Sequence, residues 1–311
     1  MKTPRIFSFS NFLLFILILT FTSTVNAANT LNFKSDTLQK EQEAFDKAFN
    51  VSIPGPAKIP LKDQATLNLA DDYFYIPPKE AAALLQSMGN ETGPEFAGLV
   101  IPKDHVHWFI TIDYIKSGYI KDADARKWNS NDLLEKIKKS TALENQARAA
   151  QALSPLSIAG WIEPPIYNST LHQLIWSALG KVPGSDVDSN HETVNYNTYL
   201  LGREGYFNLS LITSNASIND DKIHAKNILT AISYNQGKRY EDYDKHSDLT
   251  AQYGLSSLIT GLVMKHPSFF TNAAIFVLND WQLLALCILL LILSTRYHFR
   301  RLARSTILNT E

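Results

Sequence analysis

Val194-Asn-Tyr-Asn-Thr-Tyr-Leu-Leu201, then Gly202-Arg-Glu-Gly205, then Tyr206-Phe-Asn-Leu-Ser-Leu-Ile212 is the stretch that decides the fold. Phe207, Leu209 and Leu211 alternate with Asn208 and Ser210, the period of two expected of a half-buried strand. Two such runs joined by four residues with glycine at both corners predict a β-hairpin. Asn208 and Ser210 are expected on the wet face.

Working outward, Leu156 to Ile162 and Leu171 to Leu179 read as strands. So do Phe96 to Ile101 and Val106 to Tyr114, the second with Val106, Trp108, Ile110 and Ile112 on one face. Ile59/Leu61 and Leu67/Leu69 flank Lys62-Asp63-Gln64, a second hairpin. Helices are expected over Ser35 to Phe49 and over Lys79 to Met88, the latter opened by Pro77-Pro78 and stopped by Gly89. Asn131 to Leu153 is a third, begun at Ser130 and carrying Leu133, Leu134, Ile137 and Leu143 on its apolar side. Ile218 to Tyr234 and Ser247 to Met264 complete the set. Strands joined mostly by hairpins, with helices inserted, imply an α+β fold on an antiparallel sheet. There are no repeats and no internal linker, so one domain is expected.

The 311 residues carry a net charge of -1, with 45% hydrophobic and 11% aromatic side chains. That balance gives no basic surface for nucleic acid. The one cysteine, Cys287, lies in an apolar run, which excludes an intrachain disulfide.

Both ends read as membrane signals. In Met1 to Ala27, Lys2 and Arg5 precede the apolar Phe12 to Phe21, and Val25-Asn-Ala27 offers small residues for cleavage. Trp281 to Ser294 is nearly all apolar and is followed by Arg296, Arg300, Arg301 and Arg304. Its rise of about 21 Å falls short of a bilayer core of about 30 Å, so the span is expected to extend back to Ala273. The expected organisation is a signal peptide over 1–27, an extracytoplasmic domain over 28–272, a transmembrane helix over 273–295 and a basic cytoplasmic tail over 296–311. The arginines mark the cytoplasmic side. Both ends agree that the body faces outward.

Chemistry is sparse. There is no Gly-x-Ser-x-Gly elbow, no Ser-x-x-Lys, no phosphate-binding glycine loop and no His-Glu-x-x-His. His105-x-His107 puts two imidazoles on one strand face, yet spacing names no third ligand, and solvent-facing histidines are the simpler reading. Asp242 to Asp248 imitates a calcium loop, but Ser247 and Tyr253 stand where Gly and Glu are needed. Ser247 or Asp248 capping the next helix accounts for these residues. Asp122-Ala-Asp124 suits a cap better than an acid/base pair. No metal and no cofactor are expected.

The densest concentration of recognition groups is Gly160-Trp-Ile-Glu-Pro-Pro-Ile-Tyr167 with the hairpin. Arg203 and Glu204 at its tip would grip an anionic or peptide ligand, with Trp161, Tyr167, Tyr196 and Asn197 supplying stacking and amide groups. The plainer reading is a charged turn that keeps a hairpin soluble. The expected function is a cell-envelope binding or interaction module whose partner is a protein, peptide or lipid. The alternatives are a structural subunit of a membrane complex, or an envelope hydrolase drawing on Glu163, His172 and Asp242.

Gly118-Tyr-Ile-Lys-Asp-Ala-Asp-Ala125, Gly160-Trp-x-x-Pro-Pro-x-Tyr167, Leu174-Ile-Trp176, Asn195-Tyr-Asn-Thr198 and Leu201-Gly-Arg-x-Gly205 resemble a bacterial family of uncharacterised membrane-anchored proteins. Gly237-x-x-Tyr240-x-Asp242 and Ala251-x-Tyr-Gly254 extend the likeness, so it covers roughly Phe45 to Gly261. The resemblance implies a signal peptide, an extracytoplasmic domain and a C-terminal anchor, hence a single-pass protein of the bacterial inner membrane with its body in the periplasm, and no known activity. Asn168 departs from it, standing where the family carries Asp.

Overall fold

The structure, a computed structural model, describes residues 40–88, 90–104, 108–150, 154–184 and 192–261. The expected signal peptide, transmembrane helix and tail lie outside the described residues, as do His105, Val106, His107 and His191. Among the described residues no helix is long and apolar enough to cross a membrane. The elements that follow belong to the unit that begins at Glu41.

The hairpin forms as its alternation predicts. β9 (Thr193–Leu201) and β10 (Tyr206–Ser214) pair antiparallel, with Phe207 opposite Leu200, Leu209 opposite Thr198 and Leu211 opposite Tyr196. Around it an eight-stranded antiparallel sheet is built in the order β1-β4-β5-β6-β10-β9-β8-β7. The further strands are β1 (Ile53–Pro54), β4 (Tyr73–Ile76), β5 (Phe96–Pro102), β6 (Phe109–Ile115), β7 (Ser157–Asn168) and β8 (Gln173–Lys181). A smaller sheet runs β11-β3-β2, from β2 (Ala57–Leu61), β3 (Ala65–Leu69) and β11 (Ile232–Tyr234). The β2–β3 hairpin turns through Lys62 and Asp63, both in the left-handed region at φ 50° and 56°. The expected α+β fold on an antiparallel sheet is therefore present.

Two layers cover the large sheet. On one face Trp108, Ile110, Ile112, Tyr196, Phe207 and Leu209 pack against α4 (Ile218–Ala231) and the small sheet. On the other, Ile76, Leu99, Phe109 and Ile212 meet the helix over residues 41–50 (α1) and α2 (Pro78–Ser87). Further along that face Leu174, Trp176, Tyr199 and Tyr206 meet α3 (Ser130–Ala150) and the short α5 (Ser257–Thr260).

Covering both faces corrects the reading of β10. Asn208 and Ser210 are not on a wet face; they are 7% and 3% exposed. Alternation reported which side each residue takes, not whether that side meets water.

Other expectations shift for local reasons. The helix from Ile218 ends at Ala231, because Ile232 is extended and pairs with Leu67 of β3. Within Ser247 to Met264 the described residues are helical only over Ser257–Thr260. α3 is capped by Asn129, whose Oδ1 accepts from the N–H groups of Asn131 and Asp132, and not by Ser130. Leu143, placed on its apolar side, is 66% exposed. β7 runs on through Pro164-Pro165 to Asn168, which an outermost strand tolerates since one row of its backbone groups needs no ladder partner.

Candidate functional site

The β9–β10 turn is locked from within the chain. Gly202 N–H donates to the Gly205 carbonyl at 2.8 Å. A Cβ on Gly205 would lie 2.0 Å from the Ile115 carbonyl oxygen, so the close crossing of β6 demands glycine. Arg203 donates through Nε and Nη2 to the two carboxylate oxygens of Asp248, and through Nη1 to the Gly237 carbonyl. That guanidinium holds the Asp248 carboxyl down at about 2. Glu204 is held by Lys238, with Lys116 at 3.5 Å. The groups expected to grip a ligand are committed to neighbours in the chain.

The 118–124 segment is stitched to the same corner. Tyr119 N–H donates to Leu249 O, and Ala251 N–H donates back to Tyr119 O. The Tyr240 hydroxyl donates to Ile120 O. Asp124 accepts the N–H groups of Leu255 and Ser256, so the cap expected of this carboxylate serves a turn over 130 residues away. Tyr243, Tyr119, Tyr240 and His172 stack in a column with successive centroids 3.8, 4.4 and 4.1 Å apart.

Beside the column, the Tyr167 hydroxyl donates to Asp122 Oδ2 at 2.8 Å and lies 3.3 Å from His172 Nδ1. Burial, reinforced by Asp122, pushes the Tyr167 phenol far above its ordinary range, so it stays protonated. A groove of about 490 Å³ opens there, lined by Asp122, Arg126, Trp128, Pro164, Pro165 and Tyr167. Trp161 stands at its flank: the indole N–H donates to Ser130 O, and the ring meets Trp176 edge-on.

Tyr196 is on the opposite face. Fully buried, it donates its hydroxyl to Glu163 Oε1 at 3.0 Å, and Lys222 and Lys226 of α4 both approach the same carboxylate at 3.4 Å. Asn197 lies beneath α3 and accepts the Ser210 hydroxyl at Oδ1. The expected binding set thus divides among the turn (Arg203, Glu204), the groove and its flank (Tyr167, Trp161), the α4 face (Tyr196) and the face under α3 (Asn197). The hydrolase groups do not assemble either. Glu163 is held by α4, His172 lies against Tyr167 and Tyr240, and Asp242 accepts the Arg239 backbone N–H. Among the described residues no three His, Cys, Asp or Glu side chains are grouped to hold a metal.

Sequence reasoning missed a polar band on the central strands. Asp113 faces Asn208, Thr111 faces Ser210, and Ser210 faces Asn197 across consecutive strands. Burial, with the Glu95 carboxylate adding to it and Lys62 opposing, pushes Asp113 up to about 7. Asn208 Oδ1 and Thr111 Oγ1 have no hydrogen-bond partner among the described residues. The signal was the polar half of the alternation, which read as solvent.

Residues 53–293 match a family described as a protein of unknown function (DUF2167), and the chain belongs to it. No curated protein matches the chain. Among solved structures, the solution structure of cyanobacterial PsbP (CyanoP) from Synechocystis sp. PCC 6803 is similar over 59% of this chain and 91% of its own. The identity is 10% and the TM-score 0.34.

Proposed function

We propose that this member of the DUF2167 family is a membrane-anchored envelope binding module that holds an extended peptide segment of an envelope partner in the groove between β7 and the start of α3. The observation that carries the reading is the groove's composition. Trp128, Pro164 and Pro165 offer flat apolar surface, Tyr167 and Ser169 offer hydroxyls, and Asp122 and Arg126 offer both signs of charge. Mixed charge suits a polypeptide, which carries both signs and paired N–H and C=O groups. A phosphate-bearing ligand would call for a basic excess. The prolines leave β7 without two N–H donors on an outermost strand, which discourages another strand from simply adding to it. Side chains, more than ladder pairing, then do the recognising. The apolar run Trp281 to Ser294 and the arginines after it would supply the tether and face the domain outward.

The test places a photo-crosslinking amino acid at Arg126 or Ser169 in the full-length protein in intact cells, with Ile223 on α4 as control. One partner captured from both groove positions, absent at Ile223 and lost on Trp128→Ala, is the expected result. Equal capture at all three positions would remove the groove from the account.

A further inference from the structure

Beneath the middle of α3, a cavity of about 120 Å³ lies between that helix, β9 and α5. Its walls divide by chemistry. Ile137, Leu156, Ile158, Ala178 and Leu258 give it an apolar body. Thr193 Oγ1, Asn195 Oδ1 and Thr260 Oγ1, which line the same space, are buried without a hydrogen-bond partner among the described residues. Thr193 is 6% exposed and Thr260 3%. Native interiors leave few polar atoms unpaired, so three in one cavity point to something that pairs with them.

We propose that this cavity binds a small uncharged molecule with an apolar body and one hydroxyl, of the short-chain or small-ring aliphatic alcohol class. Size sets the first limit: an engineered apolar cavity of about 150 Å³ accepts benzene, with its six carbons, so this smaller one of about 120 Å³ takes about five heavy atoms. Hydrogen bonding sets the second. Asn195 Oδ1 only accepts, whereas each threonine hydroxyl both donates and accepts, so the ligand must donate at least once and accept in return. One hydroxyl does both. Charge sets the third, because no Lys, Arg or His lines the cavity and the carboxylate of Glu144 stands at its rim, which disfavours an anion. The site does not depend on the groove reading.

The experiment is ligand-observed ¹⁹F NMR on the full-length protein in detergent, with 3-fluoropropan-1-ol as probe and 1-fluorobutane as its counterpart lacking the hydroxyl. Saturable broadening of 3-fluoropropan-1-ol is expected, at least tenfold tighter than for 1-fluorobutane. Ala178→Leu, which fills the cavity, should abolish it. Thr260→Val, which keeps shape and removes the hydroxyl, should weaken it about tenfold, and circular dichroism confirms that both variants fold. Equal affinity for the two probes, or a Thr260→Val variant that binds like the parent, would overturn the proposal. No saturable binding would mean that the cavity holds water only, and would overturn it as well.

Discussion

Arg203 and Asp248 grip each other through two parallel hydrogen bonds, Nε to Oδ2 at 2.7 Å and Nη2 to Oδ1 at 2.9 Å. The pair joins the β9–β10 turn to the loop that follows the 3₁₀ turn at Tyr240–Asp242. Asp248 Oδ2 also accepts the Asp244 backbone N–H, so the loop's own turn depends on the same carboxylate. A two-point fork of this kind fixes geometry as well as charge.

Arg203→Ala and Asp248→Ala should therefore both loosen the 237–256 loop, Asp248→Ala the more because it also releases the Asp244 N–H, and the double variant should be little worse than Asp248→Ala alone. Limited proteolysis at Lys245 reads this directly, with cleavage expected to rise roughly tenfold in Arg203→Ala and further in Asp248→Ala. Additive effects would mean that the two side chains act separately. Because the folded Asp248 carboxyl is depressed to about 2, the protection it gives is present above its unfolded value near 4 and fades as pH falls through 2.

Two glycines that look alike in sequence should respond oppositely. Gly205→Ala drives a Cβ into the backbone carbonyl of Ile115, and a rigid main-chain atom cannot swing aside. A loss of about 2–3 kcal/mol is expected in urea unfolding. At Gly160 an added Cβ meets nothing within 4 Å, so Gly160→Ala should stay within about 0.5 kcal/mol of the parent. A comparable loss at both sites would contradict the packing at the hairpin corner.

Asp113 sets a pH dependence. Its folded value near 7 lies above its unfolded value near 4, so the folded state holds the extra proton between them. The sign follows: this contribution to stability is full below pH 4 and is lost as pH rises to 7, by up to about 1.4 kcal/mol per pH unit. Asp113→Asn should flatten stability over that window and exceed the parent above pH 7. Urea midpoints at pH 4.5, 6 and 8 decide it, and parallel curves for parent and variant would exclude a raised carboxyl at this position.

What was legible in the sequence follows from which forces act locally. The hairpin of β9 and β10 and the Pro77-Pro78 start of α2 are written in turn chemistry and period-two patterning, which neighbouring residues decide. Ile232–Tyr234 was not legible as a strand, because its partner Leu67 lies far away in the chain. Trp161 and Tyr167 were singled out for chemistry that a binding surface uses, and they do lie together along β7. Asp122 is read from the sequence only as part of a capping pair with Asp124, and Trp128, beside it in the groove wall, carries no pattern that separates it from surface residues. Asn208, Ser210 and Asn197 were misread or half-read for one reason: strand alternation cannot report a second layer laid over the polar side.

Glu163 supplies the last test, because one residue carried two readings. As a hydrolase carboxylate it would be idle in folding. Its side chain instead accepts the Tyr196 hydroxyl at 3.0 Å while Lys222 and Lys226 flank it at 3.4 Å, tying the outermost strand β7 across β8 to Tyr196 of β9 and to α4. Glu163→Gln keeps the shape and removes the charge that both lysines face. Those lysines are partly exposed and can turn to water, which moderates the loss, so about 1–2 kcal/mol of destabilisation is expected. Much of it should vanish in 1 M salt, where the surviving attraction in the parent is screened. An unfolding midpoint that does not move at low salt would return Glu163 to the list of residues free for chemistry.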